Sequence, residues 1–402
     1  MNDEIPSNSL PPGPSPFPLW PILLVTGIFY LTFVSRVIMG PLLPVIETDM
    51  GWGHGEAGSL FVYIAGGYSL GLLSAGYISF RLNYRYMITL AGIMVGLAML
   101  GISYSSSVLT MRLGLVISGI AAGFYVPSGI ATITELASKE HWGKAMAVHE
   151  LGPNLGYITA PLIAEGLIKF LPWRGVLGAV GIWSVLMGII FFWLGRGGNQ
   201  KGTPPNLEFM RKVVQSPSFW IMVAVFTTSI GASVGVYSLM PLFLVNGAGL
   251  DRGWANTLIG LSRVCATIVL FSSGIIADRF GPKKAIIFFL ATAGLFTMLM
   301  GFSQNSVCTV VLAFLQASSA ACIFPVAFTI LSHIFPAQFR GAAVSLVFFI
   351  SYPLAAGVIP SAIGYWAEAF SFSSGFCLLG LFFLLLLPLF LRGGSHLSIP
   401  NR

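Results

Sequence analysis

The chain has 402 residues, of which 56% are apolar and only 8% charged, with a net charge of +7. A soluble domain does not need that apolar share, so composition points to the bilayer as solvent. The positive balance is no nucleic-acid footprint, because no basic run is interleaved with aromatics or carried on a polar helix.

Residues 1–18 hold six prolines, two acids and no Lys or Arg, which predicts a disordered tail without the basic front of a secretory signal. Windows of about twenty residues then give twelve apolar spans. The first six are Leu19–Val45, Gly58–Phe80, Met87–Tyr104, Leu109–Leu136, Ala145–Ile168 and Gly175–Leu194. The stretch 195–218, with Gly-Gly and Pro-Pro pairs and mixed charge, reads as a cytoplasmic linker. The other six spans are Phe219–Val245, Asn256–Ala277, Ala285–Phe302, Thr309–Ile334, Val344–Ala367 and Gly375–Leu391, followed by a tail at 392–402. None of these runs alternates polar with apolar residues as a barrel strand would.

With the N-terminus inside, the connections on that side hold fourteen Lys and Arg, whereas the opposite connections hold only Lys169, Arg174 and Arg252. That bias places both termini on the cytoplasmic side of the cell's inner membrane. The chain also repeats itself. A shift of 198 residues lays Gly76–Ile88 onto Gly274–Ile286, with Arg81 on Arg279 and Arg85 on Lys283, and lays Pro127 on Pro325 and Gly143 on Gly341. The expected fold is therefore all-α integral membrane: twelve transmembrane helices as two pseudo-symmetric six-helix halves, 19–194 and 219–391, around a central cavity.

Cys265, Cys308, Cys322 and Cys377 have no paired spacing, and the five histidines are too dispersed for a metal cluster. There is no phosphate-binding loop and no soluble domain to hydrolyse a nucleotide. Neither an enzyme nor a cofactor or metal is expected.

The run GIIADRFGPKK carries Gly274, Asp278, Arg279, Gly281, Lys283 and Lys284, and its first-half counterpart GYISFRLNYRY keeps Gly76, Arg81 and Arg85 with Phe80 in place of the aspartate. In these residues the chain resembles the major facilitator superfamily, whose loop signature between the eighth and ninth helices has this form. Arg112 with Gly114 and Gly119 resembles the family's fourth-helix pattern, and Gly152 with Pro153 its fifth-helix glycine-proline motif. The resemblance implies two halves that rock around a central site by alternating access. Gly274, Asp278, Arg279, Gly281, Lys283, Arg81, Arg85 and Arg112 are the expected gating residues. Asp278 can cap the helix beginning near Gly341, and the basic residues can pair with acids at the inner ends; the same charges also serve positive-inside topology.

Arg36 and Arg263 each stand in an apolar span that carries no other charge. A guanidinium cannot shed its proton, and a charge at membrane depth marks a functional site. The two lie at similar depth in the first and eighth helices, one in each half, so a small anionic solute touching both would tie the halves together. The spacing Arg36 to Pro44 resembles the first-helix arginine of the superfamily's organic-anion branches, among them the organophosphate antiporters and the anion:cation symporters. Arg263 is similar to the eighth-helix arginine of the monocarboxylate and oxalate carriers. Ser233 stands eight before Pro241, where the organophosphate antiporters place a second arginine, which disfavours a phosphate ester.

Glu150, beside His149 in the inner half of the fifth span, is expected in a dry setting where its protonation depends on its partner, as a proton symporter needs; a pairing with a Lys or Arg at the inner gate is the alternative. Asn154 lies one turn on. Tyr68, Tyr125, Tyr237, Gln316 and Tyr352 are polar-tipped candidates for ligand contact, while Glu135, Glu165 and Glu368 sit near span ends and read as water-facing charges. The expected function is that of a monomeric secondary carrier of a small carboxylate, by proton symport or exchange for a counter-anion. The alternative is an exporter of lipophilic or cationic drugs with structural arginines.

Overall fold

The computed structural model describes residues 17–202, 207–335 and 340–392. The two expected tails lie outside the described residues, apart from Phe17, Pro18 and Arg392. Twelve long helices follow in chain order: α1 (Leu19–Met50), α2 (His54–Arg81), α3 (Tyr84–Ser103), α4 (Val108–Leu136), α5 (Trp142–Ile168), α6 (Trp173–Leu194), α7 (Pro217–Gly247), α8 (Arg252–Phe280), α9 (Pro282–Phe302), α10 (Ser306–Ile334), α11 (Ala343–Ala369) and α12 (Phe372–Phe390). Eleven of them are long and apolar enough to cross a membrane. The helix outside that set is α5, 27 residues long, whose Lys144, His149, Glu150, Asn154 and Thr159 dilute its apolar content. The bundle's outer surface is greasy, with Trp183 66% and Phe271 78% exposed, as a lipid-facing surface requires.

The repeat is visible in the backbone. His54 and Arg252, Tyr84 and Pro282, and Val108 and Ser306 open corresponding helices, each pair 198 residues apart. Capping explains the starts. Ser107 accepts from the Thr110 amide before α4, and Asn305 accepts from the Val307 and Cys308 amides before α10, each satisfying donors the first turn leaves open. Gly281, at φ 85° between α8 and α9, takes a backbone conformation that a side chain would strain.

At the corresponding α2 start, Gly53 has no side chain to cap with. Glu368 of α11 supplies the acceptor, its Oε2 3.1 Å from the Gly55 amide. A Cβ on Gly53 would stand 2.6 Å from the Glu368 carboxyl carbon, so glycine is what admits this cap.

Helix contacts are set by small residues. Gly67 and Gly71 of α2 meet the carbonyls of Val116 and Ile120, and Gly119 and Gly123 of α4 meet the backbone of α2 around Tyr68. Such glycine seams let backbones touch, and this one fixes where Tyr68 stands. Gly152 of α5 lies against Thr26 and Tyr30 of α1 in the same way.

Four departures from α-helical regularity fall in α1, α7 and α11. Pro41 and Pro44 in α1 cannot donate backward, and the helix loosens at Ile38, two residues past Arg36. In α7 the segments Gly231–Gly235 and Phe243–Gly247 are π-helical, and in α11 so is Pro353–Val358.

The linker contains a helix, Leu207–Gln215, and its first residues are fastened. The amides of Tyr84 and Arg85 donate to the Gln200 and Gly198 carbonyls, and the Gly202 amide donates to the Ser79 carbonyl. The Gly198 amide donates in turn to Glu135, which makes that acid a strap for the linker.

Substituting Gly71 with valine drives a side chain into the Ile120 carbonyl, and overpacking of this kind costs about 1–3 kcal/mol. Thermal unfolding of the purified protein followed by size exclusion should show a Tm several degrees lower; an unchanged Tm would mean the α2–α4 seam is not a close contact.

Candidate functional site

Arg36 is 6% exposed. Its Nε donates to the Thr32 carbonyl at 3.3 Å and its Nη1 to the Tyr352 hydroxyl at 2.9 Å. Its guanidinium carbon lies 4.1 Å from the ring centre of Tyr68, 5.0 Å from Phe33 and 5.7 Å from Tyr352, so three aromatic faces surround the cation. The cage draws on α1, α2 and α11, and the loosened turn of α1 next to Arg36 sits against it.

Arg263 is 5% exposed. Its Nη2 donates to the Ser233 carbonyl at 3.3 Å, while its Nε is buried without a hydrogen-bond partner among the described residues. Tyr157 and Tyr237 flank its guanidinium at 4.7 and 4.8 Å. The Ser233 carbonyl is available because it lies in the first π-helical segment of α7, and the neighbouring Ala232 carbonyl takes the Gln316 Nε2 at 2.7 Å. A π turn displaces carbonyls from the regular ladder, and here side chains from α8 and α10 occupy them.

Tyr157 joins the two cations. Its ring packs edge-on to Phe33 at 4.7 Å, and to Tyr237 at 4.9 Å, while its backbone carbonyl accepts from the Tyr237 hydroxyl at 3.2 Å. A continuous aromatic strip thus runs from Tyr352 and Tyr68 through Arg36, Phe33 and Tyr157 to Arg263. Among the described residues neither arginine makes an ion pair; carbonyls and a phenol satisfy some of their donors but do not neutralise their charge.

Beside the strip, His149 is buried to 1% and its side chain meets Glu150 at 3.4 Å, but the Glu150 side chain is 56% exposed. The dry setting expected for Glu150 is therefore corrected: α5 leaves it exposed while burying its neighbour. Tyr125 is fully buried, donating to the Val25 carbonyl at 2.8 Å and touching His149 Nε2 at 2.9 Å; it packs behind the strip and not along it. Gln316 is fully buried as well and braces the π turn, while Asn154 bonds back to the Glu150 carbonyl. Tyr68 and Tyr237 are on the strip.

The gating residues divide between two faces. On the basic face Asp278 makes no ion pair among the described residues; Arg279 rests on Phe280 and Arg85 ties α3 to the Phe192 carbonyl of α6. Arg81 is exposed, and the helix start near Gly341 that Asp278 was expected to cap has its side chains outside the described ones. Arg112 lies at the other end, over Tyr63. That opposite face is tied shut. Glu165 of α5 pairs with Arg252 at 3.2 Å and with Asn256 of α8 at 3.4 Å, Asn256 also reaches the Pro41 carbonyl, and Glu368 caps α2. Glu165, expected to face water, is instead largely covered by its α8 partners, whereas Glu368 stays exposed while it caps α2. A related contact holds His54 against both carboxylate oxygens of Glu47 at 2.9 and 3.0 Å.

The family model of the Major Facilitator Superfamily matches residues 24–274 and again 253–400. The chain belongs to that superfamily. It is a multi-pass membrane transporter and not an enzyme. Similar curated proteins include a probable 4-methylmuconolactone transporter of Cupriavidus pinatubonensis, 24% identical over 79% of this chain and 77% of that one. A 4-hydroxybenzoate transporter, PcaK of Acinetobacter baylyi, is 23% identical over 81% and 80%, and a probable nitrate transporter of Staphylococcus epidermidis is 22% identical over 68% and 69%. Among solved structures, the inward-facing, occupied form of a bacterial homolog to human lysosomal Spinster superposes with a TM-score of 0.81 at 16% identity, covering 96% of this chain and 98% of that one.

Sequence reasoning did not single out Phe33, Tyr157 or the Glu165, Arg252, Asn256 cluster. One signal was available: Tyr157 lies seven residues past Glu150 and three past Asn154, on one helical face.

The Glu165–Arg252 pair is partly exposed, so it is worth about 1 kcal/mol at most, a fivefold bias toward the closed opposite face. In a background with the four cysteines replaced, a cysteine at Ser238 should react several-fold faster with an impermeant maleimide when Glu165→Gln is added. An unchanged rate would remove this cluster from the closure.

Proposed function

We propose that this chain is a secondary carrier of a small organic carboxylate, working by alternating access with Arg36 and Arg263 as the ligand contacts. One observation carries the reading: two permanently charged guanidiniums are buried with no carboxylate paired with either among the described residues. A structural arginine in such a medium is normally paired, so the missing partner is a negative charge brought by the solute. The planar guanidinium fork suits a carboxylate, and the names of the 4-methylmuconolactone and 4-hydroxybenzoate relatives agree with an organic acid. Tyr68, Tyr237, Tyr157 and Tyr352 contribute ring faces and hydroxyls around it.

On this reading the twelve helices form two six-helix halves, 19–194 and 219–391, linked by 195–218 on the cytoplasmic side, where both termini lie. The two arginines come from different halves, so an anion satisfied by both favours the state that brings them together. The closed opposite face and the unpaired Asp278 suit a conformation open toward the cytoplasm. Glu150 with His149 is the proton-coupling candidate, and symport is preferred to exchange because an ionisable pair stands beside the strip. Gly274, Asp278, Arg279, Gly281, Lys283, Arg81 and Arg85 would serve the inner gate, and the carrier would act as a monomer. A drug exporter with structural arginines is the lesser reading, since among the described residues no protein acid pairs with either one.

Truncating one partner of a buried charged contact costs about 2–5 kcal/mol, or at least about 30-fold in affinity. Thermal-shift titration of the purified carrier with 4-hydroxybenzoate, muconate-type lactone acids, nitrate and phosphate esters should give a stabilising carboxylate, and Arg36→Ala or Arg263→Ala should abolish the shift. Retention of full affinity in both variants would sink the anion reading.

A further inference from the structure

The partners of Tyr125 determine which nitrogen of His149 carries hydrogen. Tyr125 has one hydroxyl proton, and its oxygen stands 2.8 Å from the Val25 carbonyl. A carbonyl only accepts, so that proton points to Val25. The same oxygen lies 2.9 Å from His149 Nε2 and can only accept there, which requires hydrogen on Nε2. The neutral ring therefore has its lone pair on Nδ1. Nδ1 is buried and has no hydrogen-bond partner among the described residues. It faces Glu150 Oε1 at 3.4 Å, and a lone pair opposed to a carboxylate is repulsive until one proton joins the pair.

Exposure gives the direction of supply. Glu150 is open to its surroundings while His149 is sealed, so a proton reaches the imidazole by way of the carboxylate. We infer that His149 Nδ1 is the inner station of the carrier's proton site, reached through Glu150, and that Tyr125 is the positioning residue that holds the imidazole in its Nε2–H form. The inference rests on the proton-coupling part of the proposed function. In the transfer the Glu150 O–H bond breaks and the His149 Nδ1–H bond forms, leaving a carboxylate beside an imidazolium. The imidazolium is stacked on Phe29, ring centres 4.4 Å apart and 15° from parallel, a face that favours a cation.

The groups facing the pair are few. From α4 comes Tyr125, from α2 comes Tyr68, close enough to feel the Glu150 charge, and α1 presents the uncharged Val25 carbonyl and Phe29. No Lys, Arg or Asp pairs with either residue among the described ones. Protonation on α5 thus bears both on Tyr125 of α4 and on Phe29 of α1, the helix that carries Arg36.

The test uses full-length carrier in lipid nanodiscs, labelled with 15N-histidine and titrated with pH, with His149 assigned by the signal lost in His149→Gln. The expected wild-type spectrum keeps Nε2 protonated throughout while Nδ1 takes up the proton. Tyr125→Phe should turn the neutral ring into a mixture of tautomers, and Glu150→Gln should weaken proton binding at His149 about tenfold, the effect of removing one adjacent opposite charge. A neutral wild-type ring protonated at Nδ1, a Tyr125→Phe spectrum equal to wild type, or unchanged proton affinity in Glu150→Gln each overturns the inference. Because the wild-type spectrum needs neither a variant nor transport, it fails independently of the symport reading, which fails if substrate uptake is indifferent to an imposed pH gradient.

Discussion

A guanidinium that cannot lose its charge and, among the described residues, has no acid paired with it is the constraint around which this bundle is organised. Burial of such a group is unfavourable by several kcal/mol, so the surroundings have to lower that cost without cancelling the charge. Ring faces and backbone carbonyls do this. Arg36 has Tyr68, Phe33 and Tyr352 about it, and Arg263 has Tyr157, Tyr237 and the Ser233 carbonyl. Quadrupoles and dipoles attract a cation more weakly than a carboxylate would, which leaves room for an anion to compete.

The irregularities of the helices follow from the same need. A straight α-helix keeps its carbonyls in its own ladder, whereas the π turn at Gly231–Gly235 presents those of Ala232 and Ser233 to Gln316 and Arg263. The prolines of α1 loosen the turn beside Arg36. The α2–α4 glycine seam is the rigid counterpart, since it sets the position of Tyr68 through backbone contact.

Charge in an apolar run is rare enough to be read directly, so Arg36 and Arg263 were visible in the sequence, as were eleven apolar spans and the 198-residue repeat. Their neighbours were not. Phe33 and Tyr157 are aromatic residues among many in greasy helices, and nothing local marks them as a bridge. Glu165 was misread because an acid near a helix end has the same sequence surroundings whether it meets water or another helix. The exposure of Glu150 beside a buried His149 depends on the rotation of α5, which adjacent residues do not report. The fastening of the linker runs mainly through backbone amides of residues 84, 85, 198 and 202, which leave no side-chain pattern.

The cap on α2 carries a further consequence. Gly53 leaves the first turn of that helix dependent on a carboxylate from α11, so its amides are protected only while the two helices meet. Separation of α11 hands the Gly55 amide to solvent, and the deuterium-exchange rate of that single backbone position becomes a clock for the fraction of molecules unlatched on that side, readable in unmodified protein.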